Sequence, residues 1–247
     1  MNRQDFEIED HVLIKYHGHD KNVIIPDDVT VIGQLAFAAN HTLRSVVIPK
    51  SVVNIEMYAF AWCPVLTCVK FPEGSVSIGD CAFRACEMLR TLILPEEVVQ
   101  IGWKAFDSCN CLEFVGIPEG EIKVQSSDGV MTDNKIKLIC MKNYTMKIKY
   151  DVKYPILFQL YECNADPEHL PEYLRKNFRT VFCWMIEKED LKNIHKILET
   201  ERFVSERNID KFIQYAISHR KIQAQLLLTD YKYQHFDFRE TGENLKL

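Results

Sequence analysis

Cysteine is the residue type in this sequence with the widest chemical scope, and six of the nine cysteines recur within one stretch. They fall in three pairs, Cys63 with Cys68, Cys81 with Cys86, and Cys109 with Cys111. Zinc needs four ligands converging at tetrahedral geometry, whereas one thiol per turn of a repeat forms a line with a spacing of about 4.8 Å. The spacing therefore favours small buried side chains over a metal centre, and we expect neither metal nor cofactor.

Histidine could supply a metal ligand or a general base. His17 and His19 flank a glycine in a predicted turn, and two ligands alone do not make a metal site. Cys183 could form a nucleophile pair with His195 or His219, because such groups converge in space and not in sequence. The apolar run Phe-Cys-Trp-Met around Cys183 favours a buried, inert thiol instead. The sequence contains no phosphate-binding or hydrolase motif, so the residues predict no catalytic site.

The elements that position these side chains follow from a repeat of 23 residues. Proline recurs at this interval, at Pro26, Pro49, Pro72, Pro95 and Pro118. Other columns keep the same register, namely Ile32, Ile55, Ile78 and Ile101, and Leu43, Leu66, Leu89 and Leu112. A unit this short cannot bury its apolar side alone, so successive units must stack into a solenoid.

Each unit is predicted to contain one short strand. The segment from Leu43 to Pro49 alternates apolar residues and ends in a proline that stops a strand. Stacked units would form a parallel sheet, the following V-x-x-I-G would supply a turn, and the next Ala-Phe pair would lie in a short helical turn. We expect one buried row made of Phe37, Phe60, Phe83 and Phe106.

The pattern I-P-x-x-V-x-x-I-G-x-x-A-F-x-x-C-x-x-L-x-x-V resembles the BspA-like leucine-rich repeat, which is abundant in gut and oral bacteria and some protists. The resemblance covers roughly residues 23–118, and Phe6 to Tyr16 is similar to the hairpin that often opens such arrays. Asn40, Glu56 and Ser75 depart from the pattern. The resemblance implies a binding surface and no shared catalytic chemistry.

We predict four regions along the chain: an N-terminal hairpin cap (1–22), the solenoid (23–120), a β-hairpin cap (121–154) and a helical domain (155–247). After Gly120, lysines alternate with apolar side chains, which predicts strands. Segments 189–199 and 221–230 are similar at an offset of about 30 and resemble degenerate ankyrin-type helix pairs. The fold class is therefore mixed α and β, a parallel-sheet solenoid with hairpin caps followed by an all-α domain.

Charge separates these regions and limits the partners. The formal net charge of −5 argues against a generic polyanion binder, so we expect no nucleic-acid partner. The residues after the repeating prolines include Asp27, Glu73, Glu96 and Glu119, which would form an acidic edge. The lysines at 135, 137, 142, 147, 149 and 153 could contact phosphates, an acidic protein or the acidic solenoid itself, but are more simply the solvated side of a hairpin.

The cellular compartment follows from two further patterns. No apolar run is long enough to span a membrane, and the first residues lack the features of an export signal. Nine cysteines in a chain of this length favour reduced thiols over a disulfide framework. We therefore expect a cytoplasmic protein without a membrane partner, of undetermined oligomeric state.

The outward face of the predicted sheet is the candidate binding surface. Its strand positions include Ile24, Val47, Lys70, Ile93 and Phe114, an apolar strip where polar side chains would be expected. The strip favours a non-catalytic scaffold that binds a protein partner of unknown identity. The alternatives are strand propensity alone, cover by the helical domain, an enzyme or ligand-binding function in that domain, and a cell-surface adhesin whose export signal lies outside this sequence.

Overall fold

The structure is a computed structural model that describes residues 3–71, 73–95, 97–124 and 132–237. The chain divides into two compact units, residues 1–170 and residues 171–247, each with its own core. We describe the first unit as the solenoid unit and the second as the helical unit. The boundary that we predicted at residue 155 falls inside a helix of the solenoid unit.

The solenoid unit contains two six-stranded sheets. The first sheet has the order β1-β2-β4-β6-β8-β10, and the second has the order β12-β11-β9-β7-β5-β3. The strands of the first sheet are β1 (Phe6–Glu9), β2 (Val12–Tyr16), β4 (Val31–Ile32), β6 (Asn54–Ile55), β8 (Ser75–Ile78) and β10 (Glu97–Ile101). Those of the second are β3 (Asn22–Ile24), β5 (Ser45–Val47), β7 (Cys68–Lys70), β9 (Thr91–Ile93), β11 (Phe114–Ile117) and β12 (Gly120–Lys123).

The second sheet confirms the strand that we predicted in each repeat. Strands β3, β5, β7, β9 and β11 pair in parallel, each with the strand of the next coil. The residues expected to point inward are buried: Val46, Ile48, Val69, Phe71, Leu92 and Leu94. Period-2 alternation therefore identified both the strands and their buried face.

In the first sheet the hairpin β1–β2 lies where the opening hairpin was predicted, whereas the parallel strands β4, β6, β8 and β10 were not predicted. We had expected the V-x-x-I-G segment to be a turn with one inward residue. Val31 and Ile32 instead pair with Asn54 and Ile55 of the next coil, in parallel. Backbone groups inside a stack of coils must find hydrogen-bond partners, and the equivalent segment one coil away supplies them.

The phenylalanine row is present as predicted. The ring centroids of Phe37 and Phe60 lie 4.7 Å apart, those of Phe60 and Phe83 4.9 Å, and those of Phe83 and Phe106 5.2 Å. The planes of successive rings differ by 11° or less. Tyr16, on the hairpin β1–β2, extends the row at 5.0 Å from Phe37. The hairpin thus continues the core of the solenoid at its N-terminal end.

Two positions in every turn segment adopt the left-handed backbone region although neither is glycine. One column is Leu35, Tyr58, Cys81 and Lys104, and the other is Ala39, Trp62, Ala85 and Ser108, with φ between 52° and 63°. This conformation costs an L-residue roughly 1–2 kcal/mol. The same segments donate backbone N–H groups to the next coil, as from Phe37 to the carbonyl of Ala59 at 2.7 Å. Stacking of the coils holds the backbone in this strained form.

All three departures from the repeat pattern make side-chain hydrogen bonds. Asn40 replaces cysteine in the first coil, and its Oδ1 accepts hydrogen bonds at 2.9 Å from the backbone N–H groups of Thr42 and Leu43. Glu56 replaces glycine, and its Oε2 accepts a hydrogen bond at 2.9 Å from the N–H of Gln34 in the preceding coil. Ser75 stands where valine is usual, and its hydroxyl donates to Oε2 of Glu97 in the next coil at 2.6 Å.

The hairpin cap that we predicted over 121–154 is largely wrong. Among the described residues of this segment, only β12 is a strand; it is followed by the helices α1 (Thr132–Cys140) and α2 (Tyr150–Glu162), the first residues of which fall in the segment. The turn that we predicted at residues 126–129 lies outside the described residues. Buried Ile136 and Ile139 are three residues apart, a helical spacing that the lysine alternation concealed.

Two of the lysines that we assigned to the solvated side of a hairpin are buried. Lys135 and Lys153 are 2% and 4% exposed. The ammonium group of Lys153 donates to the carbonyl of Met146 at 3.1 Å, so its aliphatic stem packs in the core while its charge is hydrogen-bonded. A lysine in an alternating pattern therefore does not establish a solvent-facing position.

The side chain of Gln159 on α2 continues the second sheet beyond its last strand. Its Oε1 accepts a hydrogen bond from the N–H of Lys123 at 2.7 Å, and its Nε2 donates to the carbonyl of Lys123 at 3.0 Å. The amide thus replaces a neighbouring strand at the free edge of β12. The C-terminal end of the second sheet is covered by a helix instead of the expected hairpin.

The helical unit begins within α3 (His169–Lys176) and confirms the predicted all-α region. Helix α4 packs against α5 and α6, and α5 packs against α7. The core contains Phe178, Phe182 and Phe212 in mutual ring contact. The helices are α4 (Phe178–Lys188), α5 (Leu191–Glu199), α6 (Glu206–Ser218) and α7 (Ile222–Lys232), followed by a π-helical turn (Tyr233–Asp237).

We expect Phe83→Ala to lower the free energy of unfolding by about 3–5 kcal/mol, because Phe83 is fully buried between two parallel rings. Urea unfolding followed by circular dichroism measures the change. Phe114→Ala is the matched control, since its half-exposed ring lies on the outer face and should contribute far less. Equal losses for the two variants would contradict a stacked buried row.

We expect Ala39→Gly to stabilise the protein by about 0.5–1 kcal/mol, since glycine adopts the left-handed region without the steric cost that alanine carries. The control is Ala38→Gly at the neighbouring position, where φ is negative and glycine should destabilise by about 0.5–1 kcal/mol. The same unfolding assay compares both with the parent chain. A shift of the same sign in both variants would argue against the assigned backbone strain.

Candidate functional site

The outward face of the second sheet consists of two parallel columns of side chains. The register aligns Ile24 with Val47, Val47 with Lys70, and Lys70 with Ile93. The second column lies two residues earlier in each strand and contains Asn22, Ser45, Cys68, Thr91 and Phe114. The structure thus brings together four of the five residues that we predicted for the binding strip.

Phe114 does not continue the strip. The residue opposite Ile93 is Gly116, while Phe114 pairs with Thr91 in the neighbouring column. The sequence predicted a single strip because apolar residue types were grouped without regard to their position in the strand. Residues two apart in a strand point to the same face, so Phe114 and Gly116 both face outward. Phe114 therefore widens the surface instead of lengthening the strip.

The exposure of the two columns differs along the sheet. Ile24 is 59% exposed and Ile93 40% exposed, Lys70 is exposed, and Val47 and Phe114 are half-buried. In the second column the hydroxyl of Ser45 donates to Oδ1 of Asn22 at 2.7 Å, which fixes two polar side chains side by side. The face therefore presents an apolar column, interrupted by Lys70, beside a largely polar one.

Charged residues flank these columns on both sides. At the N-terminal ends of the strands, the exposed residues Lys21, Arg44 and Arg90 occupy the same repeat position. The guanidinium group of Arg90 pairs with the carboxylate of Glu113 in the next coil at 2.7 Å. On the side that follows the strands, Asp27, Glu73 and Glu119 are exposed, and Lys50 occupies the same column. Glu96, the remaining member of the predicted acidic edge, lies outside the described residues.

The basic flank was missed by the sequence reasoning, although its signal was available. Lys21, Arg44 and Arg90 recur in the 23-residue register immediately before β3, β5 and β9, while Thr67 and Glu113 occupy this position before β7 and β11. The sequence reasoning used only the leucine that precedes most of these positions, because apolar columns define the core. Including the charged positions of the same register would have predicted a sheet face with opposite charges at its two margins.

Three of the six repeat cysteines form a line of hydrogen-bonded thiols. The S–H groups of Cys63, Cys86 and Cys109 each donate, at 3.2 Å, to the carbonyl of the phenylalanine one coil earlier, at Phe37, Phe60 and Phe83. Contact with the Cys86 thiol, together with burial, raises the pKa of Cys63. Protonated thiols that serve as buried donors match the structural role that the sequence favoured.

The histidines of the N-terminal end do not form a metal centre. His17, His19 and His41 line one open pocket, and Nε2 of His17 lies 2.8 Å from the carboxylate of Glu7. Among the residues that the structure describes, no three histidine, cysteine, aspartate or glutamate side chains are grouped as a metal ion would require.

The structure does not join Cys183 to either of the histidines proposed as its base. Burial raises the pKa of the Cys183 thiol, which disfavours the nucleophilic thiolate. His195 pairs with Glu199 at 3.3 Å within α5. Nδ1 of His219 lies 2.9 Å from the carbonyl of Tyr215. Each histidine is thus oriented by its own helix.

Asp166 is the only buried acidic residue in the described part of the chain. The hydroxyl of Tyr144 donates to its Oδ2 at 2.8 Å, and the backbone N–H of His169 donates to its Oδ1 at 3.2 Å. Burial alone would raise the pKa of Asp166, but these hydrogen bonds, with the ring of His169 nearby, lower it below its ordinary value. The carboxylate caps the start of α3 and has a structural role.

Comparison with known proteins identifies the repeat. Residues 13–128 match the family model described as BspA type leucine rich repeat region, in six copies. This match covers just under half of the chain and confirms the resemblance seen in the sequence. No curated protein matches the chain.

Solved bacterial leucine-rich repeat proteins are similar to part of the chain. A leucine-rich repeat protein from Bacteroides capillosus is 28% identical over 45% of this chain and 91% of that one, with a TM-score of 0.39. The pneumococcal vaccine antigen PcpA is 24% identical over 45% of this chain and 28% of that one, with a TM-score of 0.43. A leucine rich cell surface protein from Faecalibacterium prausnitzii is 29% identical over 46% and 37%, with a TM-score of 0.35.

The described α-helices are 8 to 13 residues long. Within residues 3–237, apart from the short gaps, none combines the length and apolar character needed to cross a bilayer.

We expect Asp166→Asn to lower the free energy of unfolding by about 1.5–3 kcal/mol at pH 7, because charge-assisted hydrogen bonds are lost. The lowered pKa means that this stabilisation is complete above the ordinary aspartate value of about 3.9 and is lost as the pH falls through the folded-state value. Urea unfolding at pH 7, 5 and 3 measures the difference between variant and parent.

The control is Asp27→Asn at an exposed position, which should change stability little at any of these pH values. A difference between Asp166→Asn and the parent that stays constant from pH 7 to pH 3 would contradict the assigned ionised carboxylate.

Proposed function

We propose that this chain, in which residues 13–128 form a BspA-type leucine-rich repeat region, is a non-catalytic scaffold that binds a protein partner through the outward face of the second sheet. Leucine-rich repeats generally mediate protein–protein interaction. The sites tested for chemistry support the same conclusion, because the buried thiols and the buried carboxylate of Asp166 have structural partners.

The exposed apolar column is the observation that carries the proposal. Ile24 and Ile93 remain 59% and 40% exposed on a sheet whose opposite face is fully packed. Apolar side chains in contact with water on a regular, rigid surface often mark a partner site. Strand propensity explains why Ile24, Val47 and Ile93 are β-branched, and the register of the coils aligns them in one column. The variants below distinguish this explanation from a partner site.

The flanking charges would orient the partner. Lys21, Arg44 and Arg90 lie before the strands, and Asp27, Glu73 and Glu119 lie after them. A partner with acidic groups along one margin and basic groups along the other would meet complementary charges on both sides of the apolar column. Such an arrangement contributes mainly to specificity and association rate, while the desolvated apolar contacts supply affinity.

We expect the double variant Val47→Glu/Ile93→Glu to capture its partner at least tenfold less well than the parent, because two carboxylates would enter the apolar column. Immobilised parent and variant chains would be exposed to lysate of the native cell, and the retained proteins would be identified by mass spectrometry and then titrated individually. The melting temperature of the variant should stay near that of the parent.

The control is the double variant Val53→Glu/Val99→Glu, which replaces two valines that are 57% and 55% exposed outside the second sheet. It should capture the partner as well as the parent does. Retention of the same partner by the Val47→Glu/Ile93→Glu variant with unchanged affinity would reject this face as the binding surface.

A further inference from the structure

Helix α7 of the helical unit is apolar on two opposite sides. Ala224, Leu228 and Tyr231 are buried against the rest of the unit. On the other side, Ile222 and Leu226 are 65% and 64% exposed. Ile222, Leu226, Thr229 and Tyr233 are spaced by four, three and four residues, so they share one face of the helix. We refer to these four residues as the α7 stripe.

The α7 stripe is not required by the packing of the helical unit. An offset of 30 residues aligns buried Ile194 and Leu198 of α5 with buried Ala224 and Leu228 of α7. The same offset aligns Ile222 and Leu226 with Lys192 and Lys196, which are exposed lysines. The fold therefore accepts a charged residue at both positions, and the apolar residues on α7 need another explanation.

The surroundings of the α7 stripe indicate the chemistry of its partner. Residues 222–229 contain no charged side chain, and the stripe is bordered there by Gln223 and Gln225. Depletion of charge around exposed apolar residues is typical of the core of an interface. A charged partner would lose hydration here without gaining a counter-charge. The surface that fits Ile222 and Leu226 is another exposed apolar stripe, with few charged groups directly beside it.

We propose that two copies of this chain associate through their α7 stripes, with the two helices antiparallel about a two-fold axis near Leu226 and Thr229. This arrangement places Ile222 of one copy against Tyr233 of the second copy. It is an isologous contact, in which the same patch serves both partners. The proposal is independent of the function proposed for the sheet face, since it concerns a different unit.

The margins of the α7 stripe are compatible with this antiparallel pairing. A two-fold axis of this kind brings the same flank of both helices together, so Gln223 lies near Asp230 of the second copy. On the other flank, Gln225 lies near Lys232 of the second copy. Lys232 is paired with Asp210 at 3.1 Å in its own chain, so it does not bring an unmatched charge toward Gln225 or Lys221.

The size of the stripe sets the expected affinity. From Ile222 to Tyr233 the stripe is about 16 Å long at 1.5 Å per residue. One helix pair of this length buries less than the roughly 800 Å² per partner of a standard stable interface. We therefore expect a weak dimer whose dissociation constant lies in the micromolar range or above.

Sedimentation equilibrium of the full chain from about 5 to 500 µM tests the proposal. The parent chain should show a reversible monomer–dimer equilibrium. Ile222→Lys/Leu226→Lys should weaken dimerisation at least tenfold while keeping the melting temperature, since α5 carries lysine at the equivalent positions. The control Val53→Lys/Val99→Lys replaces two valines elsewhere that are also more than half exposed, and it should dimerise as the parent does.

A second pair of variants tests the orientation. In the antiparallel pair, Gln223→Lys should tighten the dimer because it faces Asp230 of the second copy, and Gln223→Glu should weaken it. A parallel pair would reverse this order, because Gln223 would then face Lys221. A parent chain that stays monomeric up to 500 µM, unchanged dimerisation of Ile222→Lys/Leu226→Lys, or a reversed order of the Gln223 variants would overturn the proposal.

Discussion

Hydrogen bonds between successive coils force equivalent residues of the repeat into columns. The backbone N–H of Phe37 donates to Ala59, that of Phe60 to Ala82, and that of Phe83 to Ala105, at 2.7–2.8 Å. Because these bonds fix the register of one coil on the next, the phenylalanine rings must stack and the cysteine thiols must meet the carbonyls of the preceding coil. The same constraint holds the left-handed residues in place, since their conformation is needed to close each coil.

The outer surface follows from this constraint as directly as the core does. A register that aligns Val46 with Val69 on the inside also aligns Val47 with Lys70 on the outside. A substitution at one repeat position therefore changes one row of a continuous surface, and charged and apolar columns can be placed side by side. This makes the sheet face suited to recognising an extended protein surface, while no part of the arrangement requires a reactive group.

The repeat could be predicted from sequence because it carries the same information several times. Five prolines and four phenylalanines in one register predicted the coil, the strand and the buried row. The outer surface was predicted in part, since Ile24, Val47, Lys70 and Ile93 share a column while Phe114 does not. The sequence after Gly120 does not repeat, so no second copy of its pattern could support or contradict the interpretation. There, buried Lys135 and Lys153 were interpreted as exposed, and helix α1 with the first residues of α2 was interpreted as strands.

Native-state hydrogen exchange of the backbone amides of Phe37, Phe60 and Phe83 tests the stacking of the coils most directly. The account predicts that all three amides are strongly protected and lose protection together as denaturant is added, because each donates to the following coil in one cooperative array. Exchange of these amides at the rate of an unstructured peptide, while the rest of the chain stays folded, would contradict it.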